Sequence, residues 1–137
     1  MTRQEAVTAL RAATLYFMVV FAVAFVLGTI RVLIIAPRVG DLVAVALETP
    51  ILLCLSWIVA RRVIAGMAVP HALAVRAVMG AFAFYLLIAA ETALGLIVFG
   101  RSPADMLASY ATLPGALGLA AQLGFAAIPA IQERLGS

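Results

Sequence analysis

Long apolar runs broken by short polar punctuation dominate this chain. Residues 12–30 form an uncharged stretch of 19, which meets the threshold of about 18 apolar residues for a membrane-spanning helix. The run continues to Ala36, where Pro37 lacks a backbone N–H and disfavours helix for the residue before it. Pro37-Arg38-Val39-Gly40-Asp41 then reads as a compact turn. A second run over 42–60 is interrupted by Pro50 and closed by Arg61-Arg62, and Gly66 and Pro70 bracket the connector that follows. The third run, 77–99, ends at Gly100-Arg101; Arg76 stands near enough to its start to extend its head group to the interface. The fourth, 114–131, is the weakest, rich in Gly and Ala and carrying Gln122 and Pro129. An interfacial or partly inserted hairpin is the alternative there.

The flanks fit the same picture. Residues 1–11 are polar enough for an interface, with Thr2 or Thr8 as helix caps. Ser102-Pro103-Ala104-Asp105 is a capping-box variant with proline at the first helical position. It opens one or two turns, Met106 to Tyr110, before Pro114 begins the last helix. The pattern predicts an all-α fold: an integral membrane four-helix bundle, one domain over 1–137, with spans at 12–36, 42–60, 77–99 and 114–131 and a short interfacial helix before the last. Arg3, Arg11, Arg61, Arg62, Arg76 and Arg134 would collect on one side, and Arg38, Arg101 and at most Arg31 on the other. The positive-inside rule then places both termini in the cytoplasm, and Trp57 and Tyr16 suit interfacial aromatic positions or, equally, packing within the bundle.

Composition agrees. The chain is 66% hydrophobic and 11% charged, against roughly 45–50% apolar content in a soluble domain. The net charge of +3 comes from nine basic residues, all arginine and mostly at the ends of apolar runs. That pattern fits membrane anchoring rather than a nucleic-acid-tracking face. The lipid bilayer is the expected partner, with a second copy or another membrane protein next. The first run exceeds a usual signal-peptide core, and although Ala22-Val23-Ala24 superficially fits a cleavage site, the segment reads as an uncleaved span. Cys54, alone in an apolar run, is expected as a small buried packing residue.

Charges inside the runs carry the candidate chemistry, because an ionisable side chain in hydrocarbon is costly and points by default to a partner or cavity. About a turn centred near residue 39, Arg31 and Glu48 lie at equal depth, roughly 9 to 13 Å along their helices. They are the expected ion pair. Ala24 and Gly28 share the Arg31 face four residues apart, a spacing that lets a neighbouring helix approach. Pro50 leaves the Ala46 carbonyl without its usual donor; Arg31, Arg38, water or the Thr49 hydroxyl could supply one, making a wet pocket, or Pro50 could simply kink the helix. Glu91 stands about 15 Å from the Gly100-Arg101 end, and Gln122 about 12 Å into the last span, so the two could bond. A protonatable acid at that depth carries protons, gates a cation, or is a hydrogen-bonded structural acid. Ala116, Ala120 and Gly124, four apart, favour close packing within the chain or between copies. Arg31, Arg38, Glu48, Pro50, Glu91 and Gln122 form the candidate intramembrane polar site.

Enzymatic readings find no support. His71 is the only histidine, without a Cys or acidic cluster at metal-ligand spacing, and reads as a loop residue. No Ser-His-Asp set or glycine-rich phosphate loop can be built, and no cofactor or metal is expected. The spaced pattern Gly28-x-x-Arg31, Pro37-Arg38-x-Gly40, Glu48-x-Pro50 resembles a group of small uncharacterised four-span bacterial inner-membrane proteins, most clearly over residues 25–65. Met106-Leu107-Ala108-Ser109 is similar to their segment before the last span, but the Asp-Pro step expected next is absent here. The resemblance implies architecture and a bacterial inner-membrane location, and no activity. Two function classes follow. One is a noncatalytic accessory or assembly component whose charged hairpin clamps the fold. The other is a small oligomeric transporter or channel using Glu91 and the Arg31/Glu48 pocket. Size and span count are similar to small multidrug exporters, but their essential acid lies in the first span, where this chain has none.

Overall fold

A computed structural model describes residues 1–136, and it is helical throughout apart from short connections. Four helices are long and apolar enough to cross a membrane: α1 (Arg3–Val39), α2 (Asp41–Met67), α3 (Leu73–Val98) and α5 (Leu113–Arg134). The short α4 (Pro103–Ser109) precedes the last. The spanning helices run 37, 27, 26 and 22 residues, against the ~20 needed for a hydrocarbon core of ~30 Å. Round the bundle, α1 packs on α2 and α3, and α5 packs on the same two. α1 and α5 therefore stand on one diagonal, and α2 and α3 on the other.

Each helix starts earlier or ends later than its apolar run, for local reasons. At the N-terminus the Thr2 hydroxyl accepts from the Glu5 N–H while the Glu5 carboxylate accepts from the Thr2 N–H, a reciprocal cap that starts α1 nine residues before the apolar run. Pro37 does not end α1. The chain widens into a π turn over Arg31–Ile35 and carries on to Val39, and Gly40, at φ +89°, makes the break. α2 passes through Pro50 without interruption and ends only at Ala68, in the left-handed region at φ 51°. Ser102 and Asp105 form the expected reciprocal cap of α4. The Thr112 hydroxyl accepts from the Gly115 N–H to open α5.

Fully buried side chains concentrate in one half of the bundle. α1 contributes Ala9, Ala12, Ala13, Tyr16 and Val20, a stripe at helical spacing. α3 supplies Val75, Met79, Ala83 and Leu87, four apart, and α5 adds Phe125 and Ile128. The closest helix approach is at Gly80, where a Cβ would collide with the Ala126 carbonyl of α5. Gly28, expected to serve this purpose, has no neighbouring helix against it; a Cβ there would meet only the Arg31 guanidinium, at 3.6 Å. Within the chain, of the small residues spaced four apart on α5, only Gly124 packs closely, against Leu53 of α2, and Ala116 and Ala120 are exposed.

Two further expectations, for Cys54 and Arg76, are corrected by which face each residue occupies, and Tyr16 takes the packing alternative. Cys54 is exposed on the outer surface of α2 rather than buried. Tyr16 is fully buried, its ring stacked on Phe125 with centroids 4.3 Å apart. Arg76 does not reach outward: it is 0% exposed, one helical turn into α3.

Candidate functional site

Each spanning helix contributes one polar side chain at a common depth. Arg31 and Glu48 lie nine and eight residues from Gly40, while Glu91 lies nine before Gly100 and Gln122 nine after Leu113. With a fixed rise of 1.5 Å per residue, that spacing sets all four roughly 12–14 Å from the same end of the bundle.

The side chains meet in pairs. The Arg31 Nε–H donates to Glu48 Oε2 at 2.5 Å, joining α1 to α2, with the side chains 29% and 14% exposed. It is the one ion pair among the described residues. The Gln122 Nε2 amide donates to both carboxylate oxygens of Glu91 at 2.7 Å, joining α5 to α3. The two pairs lie at the same depth, one on α1 and α2 and the other on α3 and α5, and α1 packs on α3. The result is a polar layer crossing all four spans, with one guanidinium against two carboxyl groups. The Gln122 Oε1, buried, has no partner.

Both expected pairs therefore form, and the structure brings them together. It leaves two other residues out. Arg38 is exposed at the turn, and Pro50 is exposed on α2. The Thr49 hydroxyl donates to the Val45 carbonyl at 2.8 Å, not to the oxygen that Pro50 frees. No hydrogen bond to the Ala46 carbonyl is made among the described side chains.

The surroundings of the layer differ from regular helix. One π turn begins at Arg31 and another covers Leu94–Val98, just beyond Glu91. Such turns widen a helix and re-aim side chains, and they recur at functional sites. The second is covered by α4, where the Met106 side chain fills the space beside Gly95. Tyr110 follows α4. Its burial and the nearby Glu91 charge push its phenol above the ordinary range, with Arg101 pulling the other way.

A second polar centre lies in the opposite, tightly packed half. Pro129 sits inside α5 and has no N–H, so the Phe125 carbonyl lacks its helical donor. The Tyr16 hydroxyl supplies the missing bond, donating to that oxygen at 2.7 Å across the bundle diagonal. The Arg76 guanidinium donates to the carbonyl oxygens of Pro70 at 3.1 Å and of Val69 and Pro129 at 3.5 Å. Gln132 Nε2 donates to the Trp57 carbonyl at 2.9 Å. Gln132 was not singled out from sequence, and Tyr16 and Arg76 were not read as backbone-carbonyl donors, although one signal was there: Pro129 frees a carbonyl by the same rule that drew attention to Pro50.

Among the described residues, no group of three or more His, Cys, Asp or Glu is placed to hold a metal ion. No protein-family model, curated protein or solved structure matches the chain, so the chemistry of the layer rests on the residues themselves.

Proposed function

We propose that the chain is a noncatalytic component of the bacterial inner membrane, an accessory or assembly subunit in which the four-span polar layer acts as a clamp. The observation that carries this reading is the pairing of polar side chains between helices: Arg31 bonds Glu48 and Gln122 bonds both oxygens of Glu91. Polar side chains that bond one another across helices fix which helices pair and at what depth, since the alternative leaves a charge in hydrocarbon. The sequence resemblance to small four-span bacterial proteins supports the location. Arginine asymmetry supports cytoplasmic termini: with buried Arg76 removed from the count, five arginines still face two or three. On this orientation α4 lies along the outer interface.

A second reading, a small oligomeric transporter or channel, is favoured by the charge count of the layer. Two carboxyl groups share one guanidinium there, and a proton or monovalent cation would balance them. Proton-coupled flux in proteoliposomes, compared between wild type and Glu91→Gln, decides. The clamp reading expects no flux from either protein. Flux in the wild type that disappears in a folded Glu91→Gln variant overturns it.

A further inference from the structure

At the end of the bundle opposite the polar layer, a cavity of about 590 Å³ opens where α2 turns into α3. Its wall includes Arg61, Val69, Pro70, His71 and Gln132. Three observations define what it accepts. First, among the described residues no acid lines it, whereas Arg61 and His71 do, which favours an anion. Second, Gln132 is 0% exposed and its Oε1 has no partner. The amide orientation is set by the Trp57 carbonyl, which can only accept, so the NH₂ faces Trp57 and the orphan atom is an acceptor. A buried amide oxygen without a donor is destabilising, so a ligand that brings a donor gains there. Third, Arg76 holds the Val69 and Pro70 carbonyls, so a fixed cation already stands behind the wall. The nearby Glu133 balances Arg76 in part, and with Arg61 in the wall the donor the site prefers is a neutral hydroxyl rather than an ammonium.

We infer that this cavity binds a glycerophosphate group, with Arg61 and His71 meeting the phosphate and Gln132 Oε1 accepting from a glycerol hydroxyl. The volume lies within the ~300–1,000 Å³ typical of small-ligand sites. The place is right for a phospholipid headgroup, since basic pockets between helix ends at the membrane surface hold such groups. The same chemistry exists in phosphatidylglycerol and in soluble glycerol phosphate.

The only tryptophan, Trp57, is bonded to Gln132 and reports on occupancy. The full chain in detergent is titrated with phosphatidylglycerol, phosphatidylcholine and soluble glycerol 3-phosphate while Trp57 emission is followed. Phosphatidylglycerol should give a saturable change and phosphatidylcholine none. Arg61→Gln should weaken the response about tenfold, the loss expected for one charge-assisted hydrogen bond. Arg62→Gln removes the same charge from the same turn but leaves the cavity wall intact, and should retain wild-type affinity. His71→Asn, in the connector, gives an independent second variant with the same expected direction as Arg61→Gln. A matching saturable response to glycerol 3-phosphate assigns the site to a soluble phosphoester, and its absence assigns it to the lipid. The inference is overturned by equal losses in Arg61→Gln and Arg62→Gln, which indicate general surface attraction, or by no saturable change in the wild type.

Discussion

Removing the Tyr16 hydroxyl tests how the proline in α5 is accommodated. Tyr16→Phe keeps the ring stacked on Phe125 and deletes one hydrogen bond, the 2.7 Å donation to the Phe125 carbonyl. Hydrogen bonds between membrane helices average only about 0.6 kcal/mol and reach about 1.7, because the lost partner is commonly replaced. Here replacement is blocked from the backbone side, since Pro129 carries no N–H. The acceptor is left bare in a fully buried site, which costs about 1–3 kcal/mol. The expected loss for Tyr16→Phe is therefore about 1.5–2 kcal/mol, at or above the top of the range for membrane hydrogen bonds. Pro129→Ala restores an N–H that can bond the Phe125 carbonyl within α5. In that background Tyr16→Phe should cost less than about 0.5 kcal/mol, leaving a coupling of about 1 kcal/mol or more. Reversible unfolding by sodium dodecyl sulfate from mixed micelles, followed by helix content, gives all four stabilities of the cycle. Equal losses in the two backgrounds would refute the reasoning, because the hydroxyl would then be contributing something unrelated to the freed carbonyl.

Two further outcomes probe the helix contacts. Arg31→Glu and Glu48→Arg each leave like charges facing one another inside the bundle and should lower stability by about 3–5 kcal/mol; the double exchange should recover most of the protein's accumulation in membranes, measured by immunoblot, and failure to recover would count against direct pairing. Gly80→Ala places a methyl against the Ala126 carbonyl, which backbone cannot easily yield, so α3 and α5 must separate at a cost of about 2–3 kcal/mol. Thermal unfolding in detergent checks this, and an unchanged midpoint would show that the helices are not in close contact there.

Depth was readable from sequence because helical rise is fixed and glycines mark the turns. Gly40 and Gly100 calibrate the positions of Arg31, Glu48 and Glu91, and the two expected pairs, Arg31 with Glu48 and Glu91 with Gln122, are hydrogen-bonded. Azimuth was not readable. A spanning helix is apolar on its lipid face and its protein face alike, so hydrophobic periodicity no longer distinguishes inside from outside. Cys54 and Arg76 were misjudged for that reason: the first is exposed and the second buried, while Tyr16 took the packing role that was one of its two readings. The start of α1 was legible, since Thr2, one of the two caps read from sequence, begins it with Glu5; its end was not, because the π turn at Arg31–Ile35 carries the chain past Pro37.

The two internal prolines show how azimuth decides whether a broken backbone bond becomes a structural device. Pro50 and Pro129 each deprive a carbonyl of its donor, at Ala46 and Phe125 respectively. Ala46 is exposed on α2, and no described side chain bonds it. Phe125 faces the buried core, where Tyr16 reaches it from the diagonal helix. The same asymmetry runs through the whole bundle. The half containing Tyr16, Arg76 and Gln132 holds nearly all fully buried side chains and ties its polar groups to backbone carbonyls. The half containing the polar layer has few buried residues and two π turns, and it relies on side chains bonding side chains. Local opening free energy follows buried contact density, so the layer can exchange partners while the packed half stays folded. On the proposed clamp reading, the half that holds Arg31 and Glu48 is therefore the one expected to open first, ahead of the half that holds Tyr16, Arg76 and Gln132.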